Sequence, residues 1–506
     1  MSRTRVFVHN MIASAVLQVF NMASGIIVPR IMLVYYGSEI NGLVSSIVQF
    51  ISYFNIVEAG LGGAVIFSLY KPLAEKNIIA VSNIVTAAKK LYYKTGILFS
   101  TLVLALAFTY PMLVNVADMG YMHIAFLVAV LGASGVMDFF VMAKYTTLFT
   151  ADQRLYVISL ANCFEVVLTT LLVFVLARVH ADIVLLRLAV VVIIFVKAGI
   201  IRWYAYRHYK KINYSSPEPD YTALGKRWDV LYLQLLNAVQ TATPVVLLTL
   251  LAGDLKLVSV YVVYNMVIAG VNGILGIFMN GLQSGFGEII AKGEIKTLQK
   301  AYSEFEFMYY NLIGIAFTVT FLTIQPFIKL YTAGISDTDY NLPVVAALFV
   351  INALLYNIKT PQGMLVLSAG LYKETRVQTT LQGAIGLLFG CAFIMLGYGI
   401  EGVLCGAMLS NIFRDCEIPY FVSKNVTHLR SAKSYARMIF TLFVFAAVIN
   451  IVPNINIDIS INTYFDWLLY LVHVLMVSII LFGLSAIIYD FTQVRSILKS
   501  CRAKIT

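Results

Sequence analysis

The sequence predicts an all-α polytopic membrane protein with about 14 transmembrane helices. Of its 506 residues, 60% are hydrophobic and only 12% are charged, whereas soluble proteins carry roughly 25% charged residues. Apolar tracts of roughly 18 residues or more recur from end to end. Each tract is long enough to cross a hydrocarbon core of ~30 Å as a helix, which satisfies its own backbone hydrogen bonds.

Hydropathy places these spans in order along the chain. Several reach about 30 residues, which indicates tilted helices or helix ends that project beyond the bilayer. The predicted spans are 6–34, 40–69, 90–110, 120–149, 155–177, 183–206, 228–252, 258–290, 301–331, 342–370, 376–396, 400–422, 437–452 and 464–490.

The distribution of basic residues predicts the orientation. When the loops are taken alternately, 27 of the 36 Lys and Arg residues fall on one side. By the positive-inside rule both termini are cytoplasmic, which requires an even number of spans. The net charge of +11 is therefore a topology signal that also suits anionic lipid headgroups, and it gives no reason to expect nucleic-acid binding.

A weak internal repeat suggests two halves. Ala74 and Ala291 precede the pairs Tyr92-Tyr93 and Tyr309-Tyr310 by the same interval, so the two stretches match at one constant offset. Six spans return the chain to the same side, so the halves should be parallel, as in transporters whose site lies between repeats. The predicted organisation is a six-helix lobe at 1–206, a cytoplasmic linker at 207–227, a second six-helix lobe at 228–422, and two further helices with a basic tail at 423–506.

Polar side chains inside the predicted spans are the candidate functional residues. Lys359 lies eleven residues before Gly370, which is ~16 Å along a helix and close to the midplane. A charge at that depth costs about 2.5–3.5 kcal/mol on insertion scales, so it requires compensation. The candidate cavity cations are Lys359, Arg30, Lys197 and Lys144; the candidate polar residues of a hydrated cavity are Asn352, Asn265, Asn272, Gln283, Gln234 and Asn237; and the candidate ion-coupling residues are Asp138, Glu165 and Glu58.

Each candidate has a structural alternative. Span amides often serve as hydrogen bonds between helices, and Lys144 is near enough to the cytoplasmic interface to reach it. For Lys359 the alternative is an internal salt bridge, with Asp138 or Glu165 as the candidate partner. The carboxylates themselves could pair with the cations or stay protonated.

Motifs for catalysis, nucleotides or metals are absent from the sequence. There is no G-x-x-x-x-G-K-[ST], no H-E-x-x-H, no G-x-S-x-G and no C-x-x-C among the five cysteines. We therefore expect no enzyme activity, no metal and no organic cofactor, with H⁺ or Na⁺ coupling as the candidate source of energy.

Several stretches resemble polysaccharide flippases of the Wzx type. They are Pro29-Arg30 at the end of the first span, "YYGSEINGL" in the following turn, "EAGLGGAV" in the second span and "ALLYNIKTPQGMLVLSAGLYKET" in the tenth. This family shares a superfamily with multidrug exporters of the MATE type and with lipid II flippases. Tyr53-Phe54 stand where lipid II flippases carry an arginine pair, which argues against lipid II as the substrate.

The resemblance implies a fold, a function and a location. It implies two six-helix lobes around a central cavity, with two extra C-terminal helices. It implies movement of an undecaprenyl-diphosphate-linked oligosaccharide from the inner to the outer leaflet of the bacterial cytoplasmic membrane. The implied partners are the lipid-linked oligosaccharide, membrane lipids and the polysaccharide assembly machinery.

Two other interpretations remain. An ion-coupled drug or small-molecule antiporter of the same fold would favour an acidic site for organic cations. A membrane polysaccharide polymerase would share the hydropathy but usually carries a large outer loop, and the longest outer loop predicted here has only about a dozen residues.

The predicted topology is tested with reporter fusions. Fusions after Asn77, Lys296 and His428 should report a cytoplasmic location, and a fusion after Asp337 should report an external one. A cytoplasmic signal at Asp337 would contradict both the orientation and the repeat.

Overall fold

A computed structural model describes residues 3–58, 61–117, 119–221, 243–371, 373–454 and 461–495. The described side chains exclude a few inside these ranges, Gln283 among them. Throughout these ranges the secondary structure is helical, apart from turns and one isolated bridge between Val116 and Met119. The chain forms two compact units, Met1–Ser259 and Val260–Thr506. The predicted lobe and linker boundaries stay a prediction.

The described residues of unit 1 form eight α-helices and the beginning of a ninth. A 3₁₀ turn at Asn55–Glu58 and a π turn at Asp138–Met142 interrupt the apolar runs. The helices are α1 (Arg3–Phe54), α2 (Leu61–Ala74), α3 (Ile78–Leu113), α4 (Tyr121–Met137), α5 (Ala143–Ala151), α6 (Leu155–Arg178), α7 (Ile183–His208), α8 (Thr243–Ala252) and the first residues of α9 (Leu255–Ala291).

Unit 2 takes up the rest of α9 and the helices that follow. A π turn at Ser423–Thr427 follows α14, and a 3₁₀ turn at Val452–Asn454 follows α15. The helices are α10 (Ile295–Tyr331), α11 (Pro343–Ile358), α12 (Thr360–Ser368), α13 (Arg376–Met395), α14 (Gly399–Val422), α15 (Ser431–Ile451) and α16 (Tyr464–Tyr489).

In the described part of the chain, 11 segments are long and apolar enough to cross a membrane. The all-helical membrane architecture is confirmed, whereas the count of about 14 is not. The predicted span at 400–422 corresponds to α14, which carries four charged residues, and most of the span at 228–252 lies outside the described residues. The first predicted span and the first half of the second form one 52-residue helix, α1, which is broken at Gly37; the second predicted span also includes the 3₁₀ turn at Asn55–Glu58 and the beginning of α2.

Helix boundaries recur at the offset of the sequence repeat. The connection from Ala74 to Ile78 matches the connection from Ala291 to Ile295, with the same offset at both ends. Glycine with positive φ recurs at nearly that offset, at Gly37 (φ 79°) and Gly253 (φ 66°). Only glycine adopts this conformation without strain, so both halves of the chain use glycine at equivalent points, which supports an internal repeat.

The segment that follows α7 is hydrogen-bonded to α3. The backbone N–H of Asn213 donates a hydrogen bond to Ser82 Oγ at 3.0 Å, and the backbone N–H of Ser216 donates one to Thr86 Oγ1 at 3.0 Å. Lys89 Nζ donates to the Tyr214 carbonyl at 3.2 Å and to Ser215 Oγ at 3.1 Å. The beginning of the predicted 207–227 linker is therefore held along α3 within unit 1.

Glycines bring α13 and α14 into close contact. A Cβ on Gly406 would lie 2.5 Å from the backbone nitrogen of Gly390, and one on Gly402 would lie 2.9 Å from Phe393 Cβ. Gly386 and Gly390 on α13, like Gly402 and Gly406 on α14, are four residues apart, the spacing that lets membrane helices approach closely. This contact fixes the position of the polar residues that follow on α14.

A buried ion pair attaches α15 to α10. Arg437 Nη1 donates to Glu306 Oε2 at 2.8 Å, and both side chains are only 2% exposed. Arg437 also donates to the backbone carbonyl and the hydroxyl of Ser303, each at 3.0 Å. Glu306 accepts further hydrogen bonds from Tyr302 at 2.8 Å and Gln362 at 2.9 Å. These further hydrogen bonds offset part of the free-energy cost of removing the two charges from water.

We expect Glu306→Gln to destabilise the protein, because it leaves the Arg437 guanidinium buried without a counter-charge. Loss of one partner of a buried pair costs about 3–5 kcal/mol, which should lower the unfolding temperature in detergent. A double variant that also carries Arg437→Met should recover part of the loss, because contacting residues are energetically coupled.

Glu288→Gln is the matched control. It removes the Lys292–Glu288 ion pair, an exposed i,i+4 pair on the surface, and should leave the unfolding temperature unchanged. Equal effects of Glu306→Gln and Glu288→Gln would contradict a structural role for the buried pair.

Candidate functional site

Lys359 lies at a break between α11 and α12. It caps the end of one helix and precedes the first turn of the next, where Pro361 occupies an initial position. Proline has no N–H to donate to the carbonyl four residues earlier, so the regular hydrogen bonding of a helix is interrupted there. The side chain of Lys359 therefore leaves the helix where the backbone hydrogen bonding is already interrupted.

The Lys359 ammonium is held by a neutral amide and an aromatic ring. Its Nζ donates to Asn411 Oδ1 at 2.7 Å and lies 4.7 Å from the centre of the Tyr356 ring. Asn411 Nδ2 in turn donates to Asn352 Oδ1 at 2.9 Å. The structure thus brings the predicted Lys359 and Asn352 together through Asn411, a residue that was not predicted from the sequence.

Charged residues of α14 lie around this site. Asp415 and Arg414 interact electrostatically with Lys359, and Arg414 is paired with Glu417 on its own helix. Among the described residues Lys359 forms no ion pair with a carboxylate within 4.0 Å. The cation is therefore available to an anion that can displace a neutral hydrogen-bond partner.

A second chain of amides runs beside the first in unit 2. Tyr309 donates to Asn357 Oδ1 at 3.1 Å, and Asn357 Nδ2 donates to Asn272 Oδ1 at 2.9 Å. The predicted Asn272 is thus joined to Asn357, which was not predicted although it lies two positions before Lys359. The predicted Asn265 has an exposed side chain on α9.

The acidic candidates gather in unit 1. Lys197 Nζ donates to Glu165 Oε2 at 2.8 Å, and both side chains are largely buried. Asp138, at the start of the π turn, interacts electrostatically with Lys197 and Glu165, and Glu58 interacts with Asp138. The structure therefore pairs Lys197, predicted as a free cavity cation, with one of the predicted ion-coupling carboxylates.

The other predicted cations and amides are placed as follows. Lys144 is half-buried, with its Nζ 5.0 Å from the centre of the Tyr145 ring and near the charges of Lys89 and Arg202. Arg30 is half-buried on α1, next to Pro29. Gln234 and Asn237 lie outside the described residues, as does the side chain of Gln283.

No described group of three His, Cys, Asp or Glu residues is arranged to hold a metal ion. Within the described ranges unit 2 holds a cation among amides, and unit 1 holds a separate, mainly acidic group. Such an arrangement can bind charged and hydroxyl-bearing ligands by hydrogen bonds and electrostatics.

Comparison with known proteins identifies the fold. No family model and no curated protein sequence matches the chain. The structure resembles an inward-facing multidrug resistance MATE family transporter of the MOP superfamily, with a TM-score of 0.64 and 14% identity over 85% of this chain and 95% of the other. It also resembles a MOP superfamily transporter from Pyrococcus furiosus, whose description says that a binding pocket of reverse polarity suggests a different function (TM-score 0.57, 15% identity, 88% of this chain and 95% of the other).

A eukaryotic MATE transporter is a further neighbour, with a TM-score of 0.55 and 14% identity over 86% of this chain and 99% of the other. Identities this low show the fold and not the substrate. The chain therefore has the fold of these MATE family transporters.

Proposed function

We propose that this protein is a flippase that moves an undecaprenyl-diphosphate-linked oligosaccharide from the inner to the outer leaflet of a bacterial cytoplasmic membrane. The observation that carries the proposal is the environment of Lys359. Its ammonium lies at a helix break and is hydrogen-bonded to Asn411 rather than to a carboxylate. A cation held this way attracts a diphosphate without first having to give up an ion pair.

The neighbouring residues suit the rest of such a substrate. A diphosphate-linked sugar is anionic at one end and rich in hydroxyl groups at the other. Asn352, Asn411 and Asn357 supply both amide donors and amide acceptors near the cation, and amides of this kind hydrogen-bond hydroxyl groups. The prenyl chain would remain in lipid while the polar head crosses.

Translocation of this kind involves no covalent step, so the proposal requires no catalytic nucleophile. Energy would come from an H⁺ or Na⁺ gradient, with the unit 1 carboxylates Asp138, Glu165 and Glu58 as candidates for ion coupling. The polysaccharide assembly machinery would be the functional partner of a transporter with this substrate.

The second candidate function is an ion-coupled antiporter of small molecules. The fold of multidrug MATE transporters favours it, and so does the group of carboxylates in unit 1, since acidic sites bind organic cations. The Pyrococcus furiosus neighbour was described as having a binding pocket of reverse polarity, so the charge of the site, rather than the fold, should indicate the substrate class. The cationic site around Lys359 favours an anion.

A transport assay separates the two functions. Proteoliposomes should flip a defined prenyl-diphosphate-linked oligosaccharide and should not accumulate a fluorescent organic cation. The opposite result would support the antiporter and contradict the flippase.

Substitutions at Lys359 test the site itself. Lys359→Gln should reduce surface polysaccharide export by about tenfold or more, because a charge-assisted hydrogen bond is worth about 1.5–3 kcal/mol. Lys359→Arg should keep part of the activity, since the charge survives although the geometry changes. The unfolding temperature of both variants should stay close to that of the wild type, because Gln can still donate to Asn411.

Lys329→Gln is the matched control, since it removes an exposed lysine at the end of α10 and should leave export unchanged. A structural role for Lys359 would instead destabilise Lys359→Gln, and neutralising Asp415 in the same chain would then restore stability. Full export by a stable Lys359→Gln protein would contradict the proposal.

A further inference from the structure

Asp415 is a buried carboxylate on α14 that the proposed function has not used. It is only 9% exposed, and neither of its carboxylate oxygens has a hydrogen-bond partner among the described residues. Buried carboxylates are normally paired or hydrogen-bonded, because an isolated ionised one is costly away from water. An unpartnered carboxyl group in such a place is therefore expected to bind something.

The surroundings of Asp415 indicate what it binds. Lys359 donates to Asn411 Oδ1 at 2.7 Å, and Asn411 lies four residues, about one helical turn, before Asp415 on α14. Asp415 interacts electrostatically with Lys359 and with Tyr310 of α10. Arg414, its neighbour on α14, is already paired with Glu417. A metal cation is disfavoured beside a lysine ammonium, whereas a proton removes the carboxylate charge without adding a positive one.

Two further ionisable groups of the adjacent helix α15 have other partners. Arg437 of α15 is paired with Glu306 of α10, and Tyr435 of α15 donates its hydroxyl proton to the Cys416 carbonyl. The polar side chain that α13 contributes near Asn411 is Gln382, at 3.5 Å, and it does not titrate. The charge that Asp415 experiences therefore depends mainly on Lys359.

We propose that Asp415 is a proton-binding site linked to Lys359, so that binding of an anionic diphosphate at Lys359 is accompanied by uptake of one proton by Asp415. This inference rests on the proposed function, in which Lys359 meets the diphosphate of the substrate. The proton comes from solvent and converts the carboxylate to the neutral acid, while Lys359 keeps its own proton.

The physical basis is competition for one positive charge. With no ligand bound, the negative charge of Asp415 offsets that of the Lys359 ammonium. A diphosphate that approaches Lys359 is repelled by the carboxylate, and protonation of Asp415 removes the repulsion. Because the two binding events favour each other, the coupling is reciprocal: a lower pH tightens anion binding, and bound anion raises the proton affinity of Asp415.

The test measures proton uptake directly. The purified full chain in detergent is titrated with a short-chain prenyl-diphosphate-linked sugar, in two buffers that differ in ionisation enthalpy. This probe has both phosphates esterified and so lacks the second ionisation, at a pKa of ~6, of a phosphate monoester. Any proton taken up on binding therefore belongs to the protein. We expect uptake of up to one proton, and affinity that rises by up to about tenfold per unit fall in pH.

Variants assign the proton to Asp415. Asp415→Asn should abolish the proton uptake and make the affinity for the probe independent of pH. At high pH the variant protein should bind the probe more tightly than the wild type does. Glu401→Gln, which removes another carboxylate of α14, is the matched control and should retain the wild-type uptake. The wild-type measurement needs no variant, so a poorly folding Asp415→Asn protein would not prevent the test.

The outcomes distinguish the two proposals. If the wild-type chain does not bind the probe, or if Lys359→Gln binds it equally well, the proposed function is wrong and this inference falls with it. If the wild-type chain binds the probe through Lys359 without taking up a proton, or if Asp415→Asn takes up as many protons as the wild type, only the inference is overturned.

Discussion

A bilayer offers no water to its interior, so each polar group placed there needs a partner within the protein. In unit 2, Lys359, Gln362 and Glu306 find their partners around one helix break, between α11 and α12. On one side of the break, Lys359 is bound to Asn411. On the other side, Gln362 donates at 2.9 Å to Glu306 and to the Tyr310 hydroxyl. Because Glu306 also holds Arg437, the break joins four helices, α10, α12, α14 and α15, through polar contacts.

The two units place similar breaks at related positions but give them different chemistry. The π turn of unit 1 ends at Met142. Lys359 lies as many residues after Met142 as Ile295 lies after Ile78, and this interval is the offset of the repeat. The turn in unit 1 begins with Asp138 and lies near the Lys197–Glu165 pair. The break in unit 2 carries a lysine among asparagines. The two breaks therefore lie at related positions of the sequence but differ in side-chain chemistry, mainly acidic in unit 1 and cationic in unit 2.

Hydropathy and charge distribution were sufficient to predict an all-helical membrane protein, because both depend only on local sequence. The depth of Lys359 and the polar character of Asn352 and Asn272 were also visible in the sequence. The hydrogen-bond partners of these residues were not visible in the sequence. Asn411 and Asn357 look like ordinary interhelical amides until the packing of α14 and α9 is known, and Glu165 was a candidate partner of Lys359 although it pairs with Lys197.

The number of spans depends on how helix breaks and charges are counted. The sequence predicts a turn between spans 6–34 and 40–69, where the structure breaks α1 at Gly37, and it predicts a span at 400–422 although α14 carries four charged residues. Those charges are accommodated because Arg414 pairs with Glu417 and Asp415 lies near Lys359. Two of the charges that make α14 unusual for a membrane span, Arg414 and Asp415, therefore lie near Lys359.

In the proposed function, the neutral partner of Lys359 would determine how easily the site exchanges ligands. Breaking a buried ion pair costs about 3–5 kcal/mol, whereas a hydrogen bond to a neutral amide contributes only about 0.5–1.5 kcal/mol. An anion that takes the place of Asn411 would therefore cost only the small free energy of one neutral hydrogen bond. The released amide of Asn411 would keep its hydrogen bond to Asn352. A transporter must bind its substrate and then release it on the other side. An asparagine-held lysine permits both steps, whereas a lysine locked to a carboxylate would oppose the first.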